Sequence, residues 1–166
     1  IKSKKMSEIF FSITSSIMFI CIFREDGKIF RLKRENHRMH SENFTSFLKK
    51  LLEESETSLK ELEYIYMTSS SGNQTGIRVS ITFAISMSVL NPKIKIFHMD
   101  TLFFQAGRDD CISLMSINEK KTKYFFLLKD NKKILKSETG IEEVEFYKKE
   151  FPNLIIKENL ESTNFL

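Results

Sequence analysis

The stretch MTSSSGNQTGIRVSITFAISMSVL, residues 67–90, decides how the rest of the chain is read. A strand end at Tyr64–Met67 runs into a polar loop, Thr68–Gln74, and then into a segment with no charged side chain between Arg78 and Lys93. A strand–loop–helix unit of this kind points backbone N–H groups out of the helix N-terminus, where an anion or a carboxylate is favoured. Thr75 reads as the N-cap, and Gly72 and Gly76 as the residues that allow a tight turn. On a helical wheel of about 100° per residue, Ile77, Ile81, Ala84 and Ile85 form one apolar stripe. Val79, Phe83, Met87 and Leu90 form a second, nearly opposite. A helix that is apolar on two sides is covered on two sides. One side packs on the chain's own sheet, and the other calls for the rest of the domain or a second protein. Ser80, Ala84 and Ser88, spaced i, i+4, i+8, keep the helix thin enough for a close neighbour.

Working outward, the segments on either side supply the sheet. Ile9–Ile13 and Ile17–Phe23 read as strands joined at Thr14-Ser15-Ser16, and the Asp26-Gly27 turn leads into a third strand, Lys28–Lys33. Ser41 reads as the cap of a helix whose Phe44, Phe47, Leu48, Leu51 and Leu52 share one face. Ser58 opens a short turn before the strand at Tyr64. Beyond Asn91-Pro92 the pattern gives a strand at Ile94–Phe97, a short helix Thr101–Ala106 stopped by Gly107, and a hairpin Cys111–Ile117/Lys123–Leu128. Asp130-Asn131 turns towards Ile134-Leu135, followed by a helix Gly140–Phe151 and a strand Leu154–Ile156. The order β-β-β-α-β-α-β, then more β with a late helix, is mixed α/β around one sheet, and no repeat of fixed period is visible.

Composition narrows the function classes. The 166 residues suffice for one domain or two small lobes, and the two cysteines, Cys21 and Cys111, lie in apolar runs as reduced, buried thiols. The net charge of +4 comes from interleaved lysines and glutamates, with no basic stripe or arm to grip nucleic acid. Lys2, Lys4 and Lys5 before Ile9–Phe23 mimic a signal peptide, but hydroxyl residues interrupt the run and no cleavage site follows. The helix after Gln74 falls short of the roughly 20 apolar residues of a membrane span. These features point to a cytoplasmic protein with no membrane role.

Candidate chemistry is sparse. Ser69, Ser70 and Ser71 offer hydroxyls without a recognisable histidine–carboxylate pair, and no lysine follows the glycines to complete a P-loop. His37 and His40, with Glu42, make at most an incomplete metal set, so no metal is expected. His98 at a strand end reads as a structural hydrogen-bonding residue. Arg78 in the first turn of the helix opposes the helix dipole and suggests an anionic partner group or a surface ion pair.

Two local motifs, with the element order, resemble the TsaB (YeaZ) family, the non-catalytic partners in bacterial synthesis of threonylcarbamoyladenosine in tRNA. One is His40-Ser41-Glu42 opening the first helix. The other is Ser70-Ser71-Gly72-Asn73-Gln74-Thr75-Gly76-Ile77-Arg78, whose T-G-I-R end matches the family's G-P-G-S-F-T-G-[LI]-R. Asp100-Thr101-Leu102 is similar to the family's S-T-L, and Ser116–Lys120 with Lys123-Tyr124-Phe125 to its I-D-A-R…E-V-Y hairpin. The departures are specific. Ile13 stands where the actin-like ATPase superfamily carries an aspartate, and the loop has become S-S-G-N-Q.

The resemblance implies an actin/Hsp70-like (ribonuclease H-like) mixed sheet with helices. Residues 1–106 would form the N-terminal lobe and residues 107–166 a reduced, truncated second lobe. It implies a scaffold that binds and activates a TsaD-type subunit, which modifies adenosine 37 of tRNA, with a TsaE-type ATPase in the larger complex. Contact with tRNA would be indirect. The partner-binding set is His40, Ser41, Phe44, Phe47, Leu48, Leu51, Thr75, Gly76, Arg78, Val79, Ser80, Phe83, Ala84, Met87 and Ser88. No cofactor and no catalytic residue are expected; Thr14, Ser15 and Gly72 are the weak remains of a nucleotide cradle. The alternatives are a stand-alone ATP-binding or ATPase domain of the same superfamily, and a homodimeric structural protein using the same helix face.

Overall fold

Runs of Ile and Phe broken by hydroxyl and Asp-Gly turns make three successive strands at the start of the chain. The computed structural model describes residues 6–35, 40–118, 121–130 and 133–160. Strands β1 (Ser7–Ser12), β2 (Ile17–Arg24) and β3 (Ile29–Glu35) form an antiparallel meander. Ser15 closes the first turn, its Oγ donating to the Ile17 carbonyl at 2.9 Å and accepting from the Ile17 N–H at 3.0 Å. Gly27, at φ 81°, closes the second. Helix α1 (His40–Glu54) and a 3-10 turn at Leu59–Glu61 carry the chain back to β4 (Leu62–Ser70), parallel to β1. Helix α2 (Gln74–Leu90) carries it to β5 (Lys95–Asp100), parallel to β4. The five strands lie in the order β3-β2-β1-β4-β5.

Helix α3 (Thr101–Ala106) ends at Gly107, whose φ of 61° suits a residue without a Cβ, and leads to a second, separate sheet where the element order reads as a single one. There β6 (Cys111–Asn118), β7 (Lys121–Asp130) and β8 (Lys133–Gly140) form another meander, followed by α4 (Ile141–Glu150) and β9 (Ile155–Glu158). Its order, β8-β7-β6-β9, with β9 parallel to β6, is the β3-β2-β1-β4 order of the first sheet again. A βββαβ unit therefore occurs twice. No residue period announced it, because the two copies share only pleat and crossover.

Period-two burial places Ile9, Phe11, Ile20 and Ile22 under α1 and α2. Phe11, Phe44 and Phe83 meet with ring centroids 5.1–5.4 Å apart, tying β1, α1 and α2 into one core. Leu102 and Ala106 of α3 pack with Cys111, Met115, Leu127 and Leu160, and Val144 of α4 seals the other side of the second sheet against Ile112 and Phe126. Both cysteines are buried and free.

Three local readings change. Ser41 lies inside the first turn of α1, its Oγ donating to Glu42 Oε2 at 3.0 Å, so it is not the cap. The strand expected to end at Met67 runs to Ser70, because Thr68 and Ser70 remain paired with β5. The cap of α2 is Asn73: its Oδ1 accepts from the N–H groups of Thr75 (2.8 Å) and Gly76 (3.2 Å), and Thr75 is already helical. An amide oxygen two residues upstream outcompetes a hydroxyl inside the turn. The N-terminal lysines and residues 36–39, 119–120 and 131–132, with the turn expected at Asn131, lie outside the described residues.

Candidate functional site

Sequence reasoning directs attention to two regions, the loops at the carboxyl ends of β1, β4 and β5 and the face of α1 and α2. The loops hold a chain of hydroxyls. Ser12 Oγ lies 2.8 Å from Thr68 Oγ1, which is 3.2 Å from Thr14 Oγ1, itself 2.7 Å from Thr101 Oγ1. Thr101 Oγ1 in turn donates to the Ser70 carbonyl at 2.6 Å. Asp100 draws the next loop together: its Oδ2 accepts from Ser70 Oγ (2.8 Å) and Ser71 Oγ (2.7 Å), and its Oδ1 caps α3 through the Leu102 N–H (2.9 Å). Ser71 is held at φ 55°, a conformation a serine adopts only under such constraint.

The same loop presses against the first turn of the meander. The Asn73 N–H donates to the Thr14 carbonyl at 2.6 Å, and ideal Cβ atoms on Gly72 and Gly76 would sit 2.1 Å from the Thr14 oxygen and 1.9 Å from the Ile13 oxygen. Backbone thus lies directly on backbone where the resemblance implies a nucleotide cradle of Thr14, Ser15 and Gly72. Ile13, in the place of the superfamily's aspartate, is wholly buried in the core. Among the described residues no group of three His, Cys, Asp or Glu side chains is placed to hold a metal. Ser69 Oγ meets His98 Nδ1 at 2.9 Å, which gives His98 the hydrogen-bonding role expected of it.

Asp100 organises three elements at once, so Asp100→Ala removes a helix cap and strands two serine hydroxyls. The expected result is a loss of about 2–4 kcal/mol in urea unfolding. A variant within 0.5 kcal/mol of the parent would show the loop holds itself.

On the helices, the residues expected to meet a partner divide by position. Phe44, Leu48, Leu51, Gly76, Ser80, Ala84 and Met87 are enclosed in the chain's own core. Phe47, Val79, Phe83 and Ser88 are half-buried, and Ser41, Thr75 and Arg78 are exposed. His37 lies outside the described residues, and only the helical placement of His40 is described. Helix α2 is therefore seated on its small-residue line with the Val79–Phe83–Met87 stripe beside it against the core. The stripe left outside is Ile81, Ile85 and Val89, which are 39%, 58% and 75% exposed, with Arg78 and Thr82 beside it. The outer face of α1 is polar, with a Lys50–Glu54 pair at 3.8 Å. The signal that could have located the outer stripe was Gly76: a glycine in a first helical turn marks the side pressed against backbone, and Ser80 and Ala84 follow it by one and two turns.

Ser80 carries a small penalty from this seating. Its Oγ is fully buried and has no hydrogen-bond partner among the described residues. Ser80→Ala is expected to raise stability by about 1 kcal/mol, read as a higher urea midpoint, and a lowered midpoint would mean the hydroxyl is satisfied.

Taken together, the two βββαβ units, the parallel β1-β4-β5 core and the loops gathered at its carboxyl edge define an actin-like, ribonuclease H-like ATPase fold. Residues 34–116, half the chain, match the family model described as TsaD: tRNA N6-adenosine threonylcarbamoyltransferase, and the chain belongs to that family, among its TsaB (YeaZ) relatives. It is 30% identical over 105 residues to the tRNA threonylcarbamoyladenosine biosynthesis protein TsaB of Buchnera aphidicola subsp. Acyrthosiphon pisum, covering 62% of this chain and 47% of that protein. With the TsaB of Buchnera aphidicola subsp. Schizaphis graminum the identity is 34% over 104 residues, covering 62% and 49%. The chain spans about half the length of the curated relatives it matches. YeaZ from Pseudomonas aeruginosa has a similar structure, with a TM-score of 0.64 at 13% identity over 81% of this chain and 67% of that one. No described helix is long and apolar enough to cross a membrane.

Proposed function

We propose that this chain is a TsaB-type scaffold in the synthesis of threonylcarbamoyladenosine in tRNA, supplying contact rather than chemistry. Its partner on this reading is a TsaD-type catalytic subunit, seated on the outer side of α2 and the neighbouring surface of α1. The observation that carries the reading is the exposed Ile81–Ile85–Val89 stripe on an otherwise well-capped, well-packed helix. The closed loop cluster supports the absence of catalysis: its hydroxyls bond to one another, and its single carboxylate, Asp100, is committed to Ser70, Ser71 and Leu102. Any contact with tRNA is then made through the partner, in the cytoplasm, and a TsaE-type ATPase joins the larger assembly. A homodimer through the same stripe is the competing arrangement, since a shared surface makes the two complexes mutually exclusive.

The test is restoration of the modified nucleoside. Added to a system depleted of its own TsaB, the protein is expected to recover threonylcarbamoyladenosine, measured by mass spectrometry of digested tRNA. Full depletion in the presence of folded protein would overturn the scaffold role. Magnesium-ATP titration, expected to give no heat, separates it from an ATPase.

A further inference from the structure

Helices α1 and α2 cover one face of the first sheet; the opposite face is aromatic and partly open. Strand alternation sends Phe10, Phe19, Tyr66 and Phe97 to it, and Phe104 of α3 lies against Phe10 with ring centroids 4.6 Å apart. Tyr66 and Phe97 stack across the β4–β5 pair at 5.3 Å. With residues 107–109 after α3, these side chains bound a cavity of about 800 Å³, within the range of small-molecule sites. Phe97 is 49% exposed along it, so the apolar lining is reachable from solvent.

The polar groups around this cavity are nearly all committed. Lys157 Nζ donates to Asp109 Oδ2 at 2.7 Å and to the Ala106 carbonyl at 3.0 Å. The Gln105 side-chain amide spends its hydrogens on Ser113 Oγ and the carbonyls of Leu114 and Lys157. His98 is engaged by Ser69, and the Glu8 carboxylate by the Tyr66 hydroxyl. Arg108 differs: it is exposed at the rim and makes no hydrogen bond or ion pair with any described residue. A cavity with aromatic walls, whose other charged groups are paired and whose rim carries one guanidinium free of any described residue, favours an apolar body with a single negative charge.

We propose that this cavity binds a small amphipathic anion, an apolar or aromatic body bearing one carboxylate, sulfonate or phosphate. The body lies among Phe10, Phe97 and Phe104, and the anion meets Arg108. The site is on the far side of the sheet from α2, so it stands or falls apart from the scaffold reading.

The probes are decanoate, naphthalene-1-sulfonate and, as a neutral control, decanol, titrated calorimetrically into the full chain. Both anions are expected to bind saturably at one site. Arg108→Gln, an exposed change, is expected to weaken them at least tenfold and leave decanol unchanged, whereas Phe97→Ala weakens all three. Absence of saturable binding, or equal affinities of both anions for the parent and Arg108→Gln, would overturn the assignment. A final arm uses phosphatidylglycerol vesicles. Co-sedimentation that Arg108→Gln abolishes, with no binding of the free anions, would assign the surface to a lipid headgroup and overturn the small-molecule site.

Discussion

Gly76→Ala is expected to cost at least about 3 kcal/mol, a large part of the roughly 5–15 kcal/mol that holds a domain together. On an open helix face the same change would stabilise by about 1 kcal/mol, because alanine is the better helix former. Here the sign reverses for a steric reason. A Cβ at Gly76 would lie 1.9 Å from the Ile13 carbonyl oxygen, 2.8 Å from its carbon and 3.3 Å from Thr14 Cα. All three are backbone atoms of a segment that cannot step aside: Ile13 is fully buried, and Thr14 is held by the Asn73 N–H and by the hydroxyl chain. Relief requires α2 to lift from the sheet, which would loosen Ser80, Ala84 and Met87 together. Urea unfolding followed by circular dichroism measures the loss. Thr82→Ala, on the exposed side of the same helix, is the control and should be neutral or mildly stabilising. If Gly76→Ala came within 0.5 kcal/mol of the parent, the close approach of α2 to the β1–β2 turn would be wrong.

That contact also explains which parts of the molecule were legible in the sequence. Local rules were enough for the strands of the first meander, for the β6–β7 hairpin of the second and for the helix Thr101–Ala106 with its stop at Gly107, since strand patterning and glycine stops are written in neighbouring residues. The motif T-G-I-R led to the family because it fixes how a loop and a helix start meet a strand. What local rules miss is rotation about a helix axis. Two apolar stripes on α2 left its seating undetermined, and the choice was made by Gly76 against the Ile13 carbonyl in the β1–β2 turn, a contact between residues 63 positions apart. The duplicated βββαβ unit escaped for a related reason. Its second copy keeps the strand order while nothing in the side chains repeats, so only the pairing of β6 with β9 discloses it.

The loop cluster bears on the proposed reading of contact without chemistry. Nucleotide sites of this kind need room for phosphates and side chains left unsatisfied until the ligand arrives. Around Thr14, Thr68 and Thr101 the hydroxyls already satisfy one another inside the protein, and at Gly72 even a Cβ would meet the Thr14 carbonyl oxygen at 2.1 Å. The cluster behaves as a clamp that sets the spacing of β1, β4 and α3, and so of α2. The stiffness of the helix platform then rests on this hydroxyl cluster.

Ile85→Glu is expected to abolish association with a TsaD-type subunit while leaving the protein folded. Ile85 is 58% exposed, so the isolated chain loses little apolar burial, and glutamate sustains a helix at least as well as isoleucine. Stability should stay within about 0.5 kcal/mol of the parent. At an interface the balance is different. The stripe Ile81–Ile85–Val89 would be desolvated on binding, and an unpaired carboxylate at its centre costs several kcal/mol, or at least a hundredfold in affinity at about 1.4 kcal/mol per decade. Substituting Ala84 would not make the same test, because Ala84 is 3% exposed and a charge there would unfold the core before reporting on a partner. Co-purification and recovery of threonylcarbamoyladenosine are the two readouts, with analytical ultracentrifugation of the variant alone to detect a homodimer. Loss of partner binding with retained folding supports the scaffold reading, and simultaneous loss of a self-associated form places both complexes on the one stripe. Undiminished co-purification of Ile85→Glu would remove α2 from the interface.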